Sequence, residues 1–253
     1  MVESPQVVAH RGLASTCPEN TLESIAAAIT AGIRFVEFDI QLSADEVPVL
    51  IHDDQLTRTA ARPGCVMDMS WTDLSSVTVG ETERLGQQYA GTLLPSLEQA
   101  RLLIADHPGV TAFVEIKTES LSRFGTDRVL DRCMEALDTL LPHCVITSFD
   151  AAVLEIAREK YDAAIAWVLT TWDDDSLAAG AALQPEFLFC NYKKLPPAPL
   201  MLPQGEWEWV LYEVIDAALA LELHARGAGF IESMDAGDLV KSLVAARDND
   251  HGS

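Results

Sequence analysis

The chain has 253 residues, 49% hydrophobic and 22% charged, an ordinary balance for a folded domain that leaves no case for disorder. Against 17 basic residues stand 39 acidic ones, and the formal net charge of −22 describes a surface that repels nucleic acid and anionic membranes. An anionic substrate would need positive charge supplied locally, by Arg, Lys or a metal ion. No run approaches the ~20 apolar residues of a membrane-spanning helix. Met1-Val2-Glu3-Ser4-Pro5 has no basic region or long apolar segment, so no secretory leader is expected. Five scattered cysteines (Cys17, Cys65, Cys133, Cys144, Cys190) without C-x-x-C spacing fit free thiols rather than a disulfide framework or a zinc site. The expected location is cytoplasmic.

In chain order, residues 6–10 read as a buried strand. Asn20-Thr21-Leu22-Glu23 has the form of a helix start, with Asn20 as the capping side chain and a Glu three residues on. Leu22, Ile25, Ala26 and Ile29 follow at helical spacing, and Gly32 fits a stop. Residues 35–40 form the next strand. The connection from Asp39 to Val47 is too short for a crossover helix, so residues 43–46 read as a turn between antiparallel neighbours. That turn sets Glu37 roughly opposite His52, with Glu37, Asp39 and Gln41 on one strand face.

Residues 54–93 are irregular, with a turn at Pro63-Gly64 and a short helix at 70–74, and suit a small insertion beside a site. A helix starts at Pro95-Ser96-Leu97-Glu98 and runs to about residue 105. Strands expected at 111–117, 144–149, 163–169, 187–192, 209–214 and 229–232 then alternate with helices at 127–140, 151–160, 174–182 and 216–225. Such alternation signals an α/β fold with a parallel sheet. A strand count near eight in about 250 residues favours a closed TIM (β/α)8 barrel over an open sheet. No glycine-rich nucleotide fingerprint follows the first strand. The tail 247–253 is polar and reads as frayed.

Three early apolar runs end on titratable residues: Val7-Val8-Ala9 into His10-Arg11-Gly12, Phe35-Val36 into Glu37-Phe38-Asp39, and residues 47–51 into His52-Asp53. Strand ends of that kind mark a working face. Glu37, Asp39 and Glu115 make an all-oxygen set suited to a hard divalent cation such as Mg²⁺ or Ca²⁺. Acids on a solvated rim are an equal reading of the same residues. His10 and His52 suit a division of general base and general acid work, whereas His107, His143, His224 and His251 read as structural. Arg11 and Lys117 either hold a phosphate or simply neutralise carboxylates. Ser148 lacks a G-x-S-x-G frame, Cys17 lacks support as a nucleophile, and most of the Trp and Tyr residues at 167, 172, 192, 207, 209 and 212 read as core.

The ordered series His10-Arg11-Gly12, Pro18-Glu19-Asn20-Thr21, Glu37-x-Asp39, His52-Asp53, Leu94-Pro95-Ser96-Leu97-Glu98, Glu115-Ile116-Lys117 and Ser148-Phe149 resembles the glycerophosphodiester phosphodiesterase family. The resemblance implies a variant TIM barrel with a small inserted subdomain after the third strand, matching residues 54–93. It implies His10 and His52 as acid and base, Glu37, Asp39 and Glu115 as ligands of one divalent ion, Mg²⁺ or Ca²⁺, and Arg11 and Lys117 as phosphate-binding residues. The implied reaction is hydrolysis of a small glycerophosphodiester such as glycerophosphocholine to sn-glycerol 3-phosphate and an alcohol. The C-terminal third departs from the pattern. Tyr212-Glu213-Val214-Ile215 stands where many members carry a Trp-Thr-Val-Asn-like strand, and Glu232-Ser233-Met234-Asp235 where they end on a Thr-Asp-x-Pro-like one. Neither departure is expected to touch the catalytic set; both bear on pocket shape and the preferred alcohol. Two rival readings are a lysophospholipase D of the same fold, which calls for an exposed apolar rim near the insertion, and a non-catalytic organophosphate-binding module, which an intact catalytic set argues against.

Overall fold

Nine strands follow one another in the computed structural model, which describes residues 4–250. They are β1 (Gln6–Ala9), β2 (Phe35–Leu42), β3 (Pro48–Leu50), β4 (Thr111–Ile116), β5 (Cys144–Ser148), β6 (Ala164–Val168), β7 (Phe187–Asn191), β8 (Glu208–Tyr212) and β9 (Phe230–Ser233). All but β3 pair in parallel, from β1 to β2 and on through β4 to β9, and β9 returns to pair with β1. Eight strands therefore close a TIM barrel. Strands buried on both faces need continuous apolar runs, which is why these segments read as Val-, Ile- and Ala-rich blocks.

Alternation along each strand decides what points where. In β2, Val36, Phe38, Ile40 and Leu42 face outward into the main core under the helices, so Glu37, Asp39 and Gln41 face inward. In β4, Ala112, Val114 and Ile116 face out, leaving Phe113 and Glu115 inside. The barrel floor is packed with Val8, Phe113, Val145, Phe189 and Val210. Phe113 meets Phe187 and Phe189 edge to face at 5.0 and 5.2 Å, a favoured aromatic geometry. An interior filled in layers leaves polar side chains room only at the C-terminal mouth.

β3 runs antiparallel to β2, with Ile40 paired to Leu50, Gln41 to Val49 and Leu42 to Pro48. The expected turn is there, but its register differs by one residue. Ser43 and Val47 close the loop through a 3.0 Å backbone bond with Glu46 left-handed, so continuing the ladder sets Phe38, not Glu37, level with His52. The first helix, Leu22–Thr30, likewise starts one residue later than expected. Thr21 is its cap, in a capping box with Ser24, while Asn20 adopts φ 55° and turns its side chain elsewhere. Ser96 and Gln99 cap the helix Leu97–Ala105 in the same way.

From residue 54 to 93 the chain forms four short helical turns, Thr57–Ala60, Val66–Asp68, Trp71–Leu74 and Thr82–Leu85. Leu56, Val66, Leu74, Val77 and Val79 gather into a separate apolar cluster with Val49, Ile51 and Leu94. Turns this short carry no readable periodicity. The later helices Thr126–Leu137, Ala151–Tyr161, Asp174–Leu183 and Ala217–Ala225 stand close to where the apolar spacing puts them. The last described element is the helix Ala236–Asp250, where fraying was expected from residue 247; residues 251–253, with His251, lie outside the described part. Among the described residues no helix is long and apolar enough to cross a membrane.

Candidate active site

At the mouth of the barrel a cavity of about 150 Å³ is lined by every residue singled out above: His10, Arg11, Glu37, Asp39, His52, Glu115 and Lys117. Strand pairing explains the convergence of the acids. Asp39 of β2 is directly opposite Glu115 of β4, and Glu37 lies two residues earlier on the same inward face. One oxygen from each of the three lies within 4.8 Å of the others.

Three carboxylates this close and this buried cannot all ionise freely. Burial, and then Asp39, Glu232 and Glu115, push Glu37 well above the usual carboxylate range. Burial and then Asp39 push Glu115 up to about 7. Asp39 goes the other way: burial opposes its charge, but Lys117 and Arg11 hold it below the usual range. The Glu37 Oε1 atom is buried and has no hydrogen-bond partner. An orphaned carboxylate oxygen in an all-oxygen set fits a hard divalent cation. The acidic groups present can therefore hold a metal ion.

The cations are fixed among these acids. Lys117 Nζ is 2.7 Å from Glu115 Oε1 and 3.4 Å from Asp39 Oδ1. Arg11 has φ 55°, which turns its backbone N–H to donate to Glu37 Oε2 at 2.9 Å. Its guanidinium donates to Glu19 at 2.9 Å and lies 3.3 Å from Asp39. The next residue must be glycine: Gly12 has φ +75°, and a Cβ there would collide with the Ser24 side chain and come within 2.6 Å of the Ser24 backbone carbon. Arg11 and Lys117 neutralise carboxylates and at the same time face the cavity.

His10 follows β1 and donates its backbone N–H to Ser233. Its Nε2 is 3.9 Å from Glu37 Oε2 and its Nδ1 has no partner. Burial, then the neighbouring Arg11, lower its pKa to about 3, so the imidazole is neutral at pH 7. His52 is more exposed, and its Nδ1 lies 2.7 Å from Asp53 Oδ1. The other Asp53 oxygen accepts from Arg58 Nε at 2.7 Å, and Arg58 makes two more 2.7 Å bonds to Glu19. Arg58 belongs to the first helical turn after β3, so the segment 54–93 braces His52 through Asp53 and braces Arg11 through Glu19.

Sequence reading left out several of these residues. Glu19 was quoted only as a motif letter, and Asn20 as a motif letter and a helix cap. Asn20 accepts from the Asp39 N–H at 3.0 Å and donates to Asp39 Oδ2 at 2.9 Å, holding both the backbone and one carboxylate oxygen of Asp39. Arg58 sits 39 residues from Glu19, a pairing no local pattern reveals. The departure at β9 was expected to bear on pocket shape, and Glu232, which had been given no role, is 3% exposed and lines the cavity. Tyr212 also lines the cavity. Trp172, Trp207 and Trp209, by contrast, stack on one another away from it. Ser148 is buried, donates to the Ile116 carbonyl at 2.9 Å and accepts from Asp150 N–H, a structural role. Cys17 is buried with its sulfur 3.3 Å from the Tyr89 hydroxyl. His224 bonds the Ala228 carbonyl at 2.7 Å, and His107 and His143 are exposed away from the cavity.

Fold and site together define a TIM-barrel protein with a metal-competent carboxylate cluster at the strand ends, flanked by two histidines and two fixed cations. The chain belongs to the glycerophosphoryl diester phosphodiesterase family, whose family model matches residues 10–200. It is 29% identical over 152 residues to glycerophosphodiester phosphodiesterase 1 of Bos taurus, covering 60% of this chain and 45% of that protein. It is 34% identical over 100 residues to the glycerophosphodiester phosphodiesterase of Caldanaerobacter subterraneus, covering 40% of each. The matched part thus spans less than half the length of these two curated relatives. Among solved structures, it is similar to an Oleispira antarctica phosphodiesterase in complex with the product sn-glycerol-3-phosphate, with a TM-score of 0.82 and 25% identity over 95% of this chain and 97% of that one. A glycerophosphodiester phosphodiesterase from Parabacteroides distasonis shares the fold at a TM-score of 0.76 and 19% identity, covering 97% of this chain and 99% of the other.

Proposed function

We propose that this protein hydrolyses small glycerophosphodiesters such as glycerophosphocholine to sn-glycerol 3-phosphate and a free alcohol, with one Mg²⁺ or Ca²⁺ held by Glu37, Asp39 and Glu115. The observation that carries the reading is the register of β2 on β4, which sets Asp39 opposite Glu115 in a cavity that also holds both histidines. Family membership and the product-bound relative support the same chemistry.

A bound divalent ion would supply Lewis-acid and electrostatic stabilisation of the phosphoryl oxygens. Arg11 and Lys117 take up phosphate charge, and each is already oriented by a buried acid: Glu19 for Arg11, Glu115 for Lys117. Their fixed positions require little reorganisation when the anion arrives. His10 and His52 divide the proton work. His10 is neutral and able to accept a proton, while Asp53 at Nδ1 holds His52 in the orientation that leaves Nε2 to exchange one.

The apolar rim that the lysophospholipase D reading calls for is present beside residues 54–93, but it is set apart from the catalytic cavity. An apolar groove of about 490 Å³ lined by Leu22, Trp71, Leu93 and Leu103 borders the inserted segment, but it shares no lining residue with the catalytic cavity. The intact set of acids, cations and histidines disfavours a binding-only module. The acidic surface argues for a small-molecule partner rather than nucleic acid. All five cysteines are free, which supports a cytoplasmic setting.

The test is release of sn-glycerol 3-phosphate from glycerophosphocholine by His10→Ala and His52→Ala variants, followed with a coupled dehydrogenase assay. Each variant is expected to lose roughly 10²–10⁴-fold in kcat. Near-normal turnover in either would remove that histidine from the acid–base pair.

A further inference from the structure

Beside the three metal-competent acids, the barrel mouth holds a fourth acid that the proposed mechanism does not use. Glu232 is the third residue of β9, where it pairs with Val8 of β1, and its side chain lines the cavity. It is 3% exposed, and its Oε1 has no hydrogen-bond partner. The Glu37 Oε1 atom is orphaned in the same way. Ligand atoms of Glu37, Glu232 and His10 lie within 4.8 Å of one another, a second convergence that shares Glu37 with the first. No cation is set against Glu232: Arg11 pairs with Glu19 and Asp39, and Lys117 with Asp39 and Glu115.

We propose that Glu232 and Glu37 form a second divalent-cation position, bridged by Glu37 to the Glu37–Asp39–Glu115 position and completed by phosphate oxygens of the ligand. The proposal rests on the metal-dependent reading above. Charge supports it. Once ionised, as cation binding requires, Glu37, Asp39, Glu115 and Glu232 face only Arg11 and Lys117, because Glu19 is matched by Arg58. One divalent ion neutralises that excess and leaves nothing for a phosphate monoester dianion; a second supplies the balance. Mg²⁺-type ions are commonly held by one or two carboxylates plus substrate phosphates, which is the ligand count on offer. Ion pairs in two-metal phosphoryl sites lie about 3.5–4 Å apart, a spacing one bridging carboxylate can span. His10 stands beside this position and keeps a ring nitrogen for proton transfer.

The probe is Mn²⁺, counted per chain by equilibrium dialysis and read by electron paramagnetic resonance, with and without sn-glycerol 3-phosphate. The wild-type protein should bind one Mn²⁺ alone and two with sn-glycerol 3-phosphate, with a spin-coupled signal appearing in the second case. Glu232→Gln should stay at one under both conditions and show no coupled signal. A single Mn²⁺ in the wild-type protein with sn-glycerol 3-phosphate, lost in Glu115→Gln, overturns the second position and leaves the first standing. Two Mn²⁺ in Glu232→Gln overturn the assignment to Glu232. Absence of bound Mn²⁺ throughout overturns both positions.

Discussion

Glu115 is an acid whose ionisation is opposed by burial and then by the neighbouring Asp39. Its folded pKa, pushed up to about 7, lies above the ordinary carboxylate value it has in the unfolded chain. The folded state therefore binds its proton more tightly. The associated stability is fully present below about pH 4.5 and is lost as pH rises through about 7. Glu115→Gln removes that dependence. In metal-free protein, the stability of Glu115→Gln relative to wild type should rise between pH 5 and pH 8 by up to about 3 kcal/mol, read from urea unfolding in EDTA. A difference that stays flat with pH would mean that Glu115 is not the strained acid. Asn20 makes the complementary case. Asn20→Ala strips two hydrogen bonds from buried Asp39, and a loss of about 1–3 kcal/mol is expected from the same unfolding measurement. At this scale the sequence was readable wherever a charge interrupted an apolar strand, as at Glu37, Asp39 and Glu115. Asn20 was misread because Asn and Thr both cap helices and only the left-handed backbone at Asn20 separates them. Glu232 was missed because Phe230-Ile231-Glu232 looks like a strand running out into solvent, and only barrel closure onto β1 turns it inward.

Elements bring these residues together, and the inserted segment does so from outside the barrel. Its Arg58 ties Asp53, and so His52, to Glu19 and thence to Arg11. Arg58→Ala should lower kcat by about 10–100-fold while far-ultraviolet circular dichroism stays unchanged, because it removes support from both His52 and Arg11, the groups proposed for proton transfer and phosphate binding. Unaltered kcat would confine the insertion to a packing role. Gly12→Ala should destabilise the protein by more than about 1 kcal/mol, since the positive φ and the Ser24 contact both penalise a Cβ. Parallel strands were legible to within a residue or two because burial on both faces demands unbroken apolar runs. The β2–β3 register was legible only to one residue. Turn length fixes that two strands are antiparallel, but the left-handed Glu46 fixes the offset, and sequence does not announce that conformation.

Across the whole molecule, the net charge of −22 works against the site it surrounds. Arg11 and Lys117 are local exceptions in an acidic field, and an anionic diester must cross that field to reach them. Salt screens such repulsion, so kcat/KM for a glycerophosphodiester with an uncharged alcohol, which carries a net negative charge, should rise as ionic strength increases from 20 mM towards about 150 mM, where the screening length falls to about 8 Å, while zwitterionic glycerophosphocholine should change little. Barrel closure is what makes the site possible, because β1, β2, β4 and β9 are brought to one mouth by the return of β9 to β1. The alternation of strands and helices foretold that closure, whereas the composition of the mouth depended on which strands became neighbours. The most direct measurement is sn-glycerol 3-phosphate release from glycerophosphocholine before and after treatment with EDTA, and again after Mg²⁺ or Ca²⁺ is restored. Activity should disappear with EDTA and return with one of the two ions in the wild-type protein, but not in Glu115→Gln. Release that persists in EDTA, or that returns fully in Glu115→Gln, would contradict a divalent ion held by Glu37, Asp39 and Glu115.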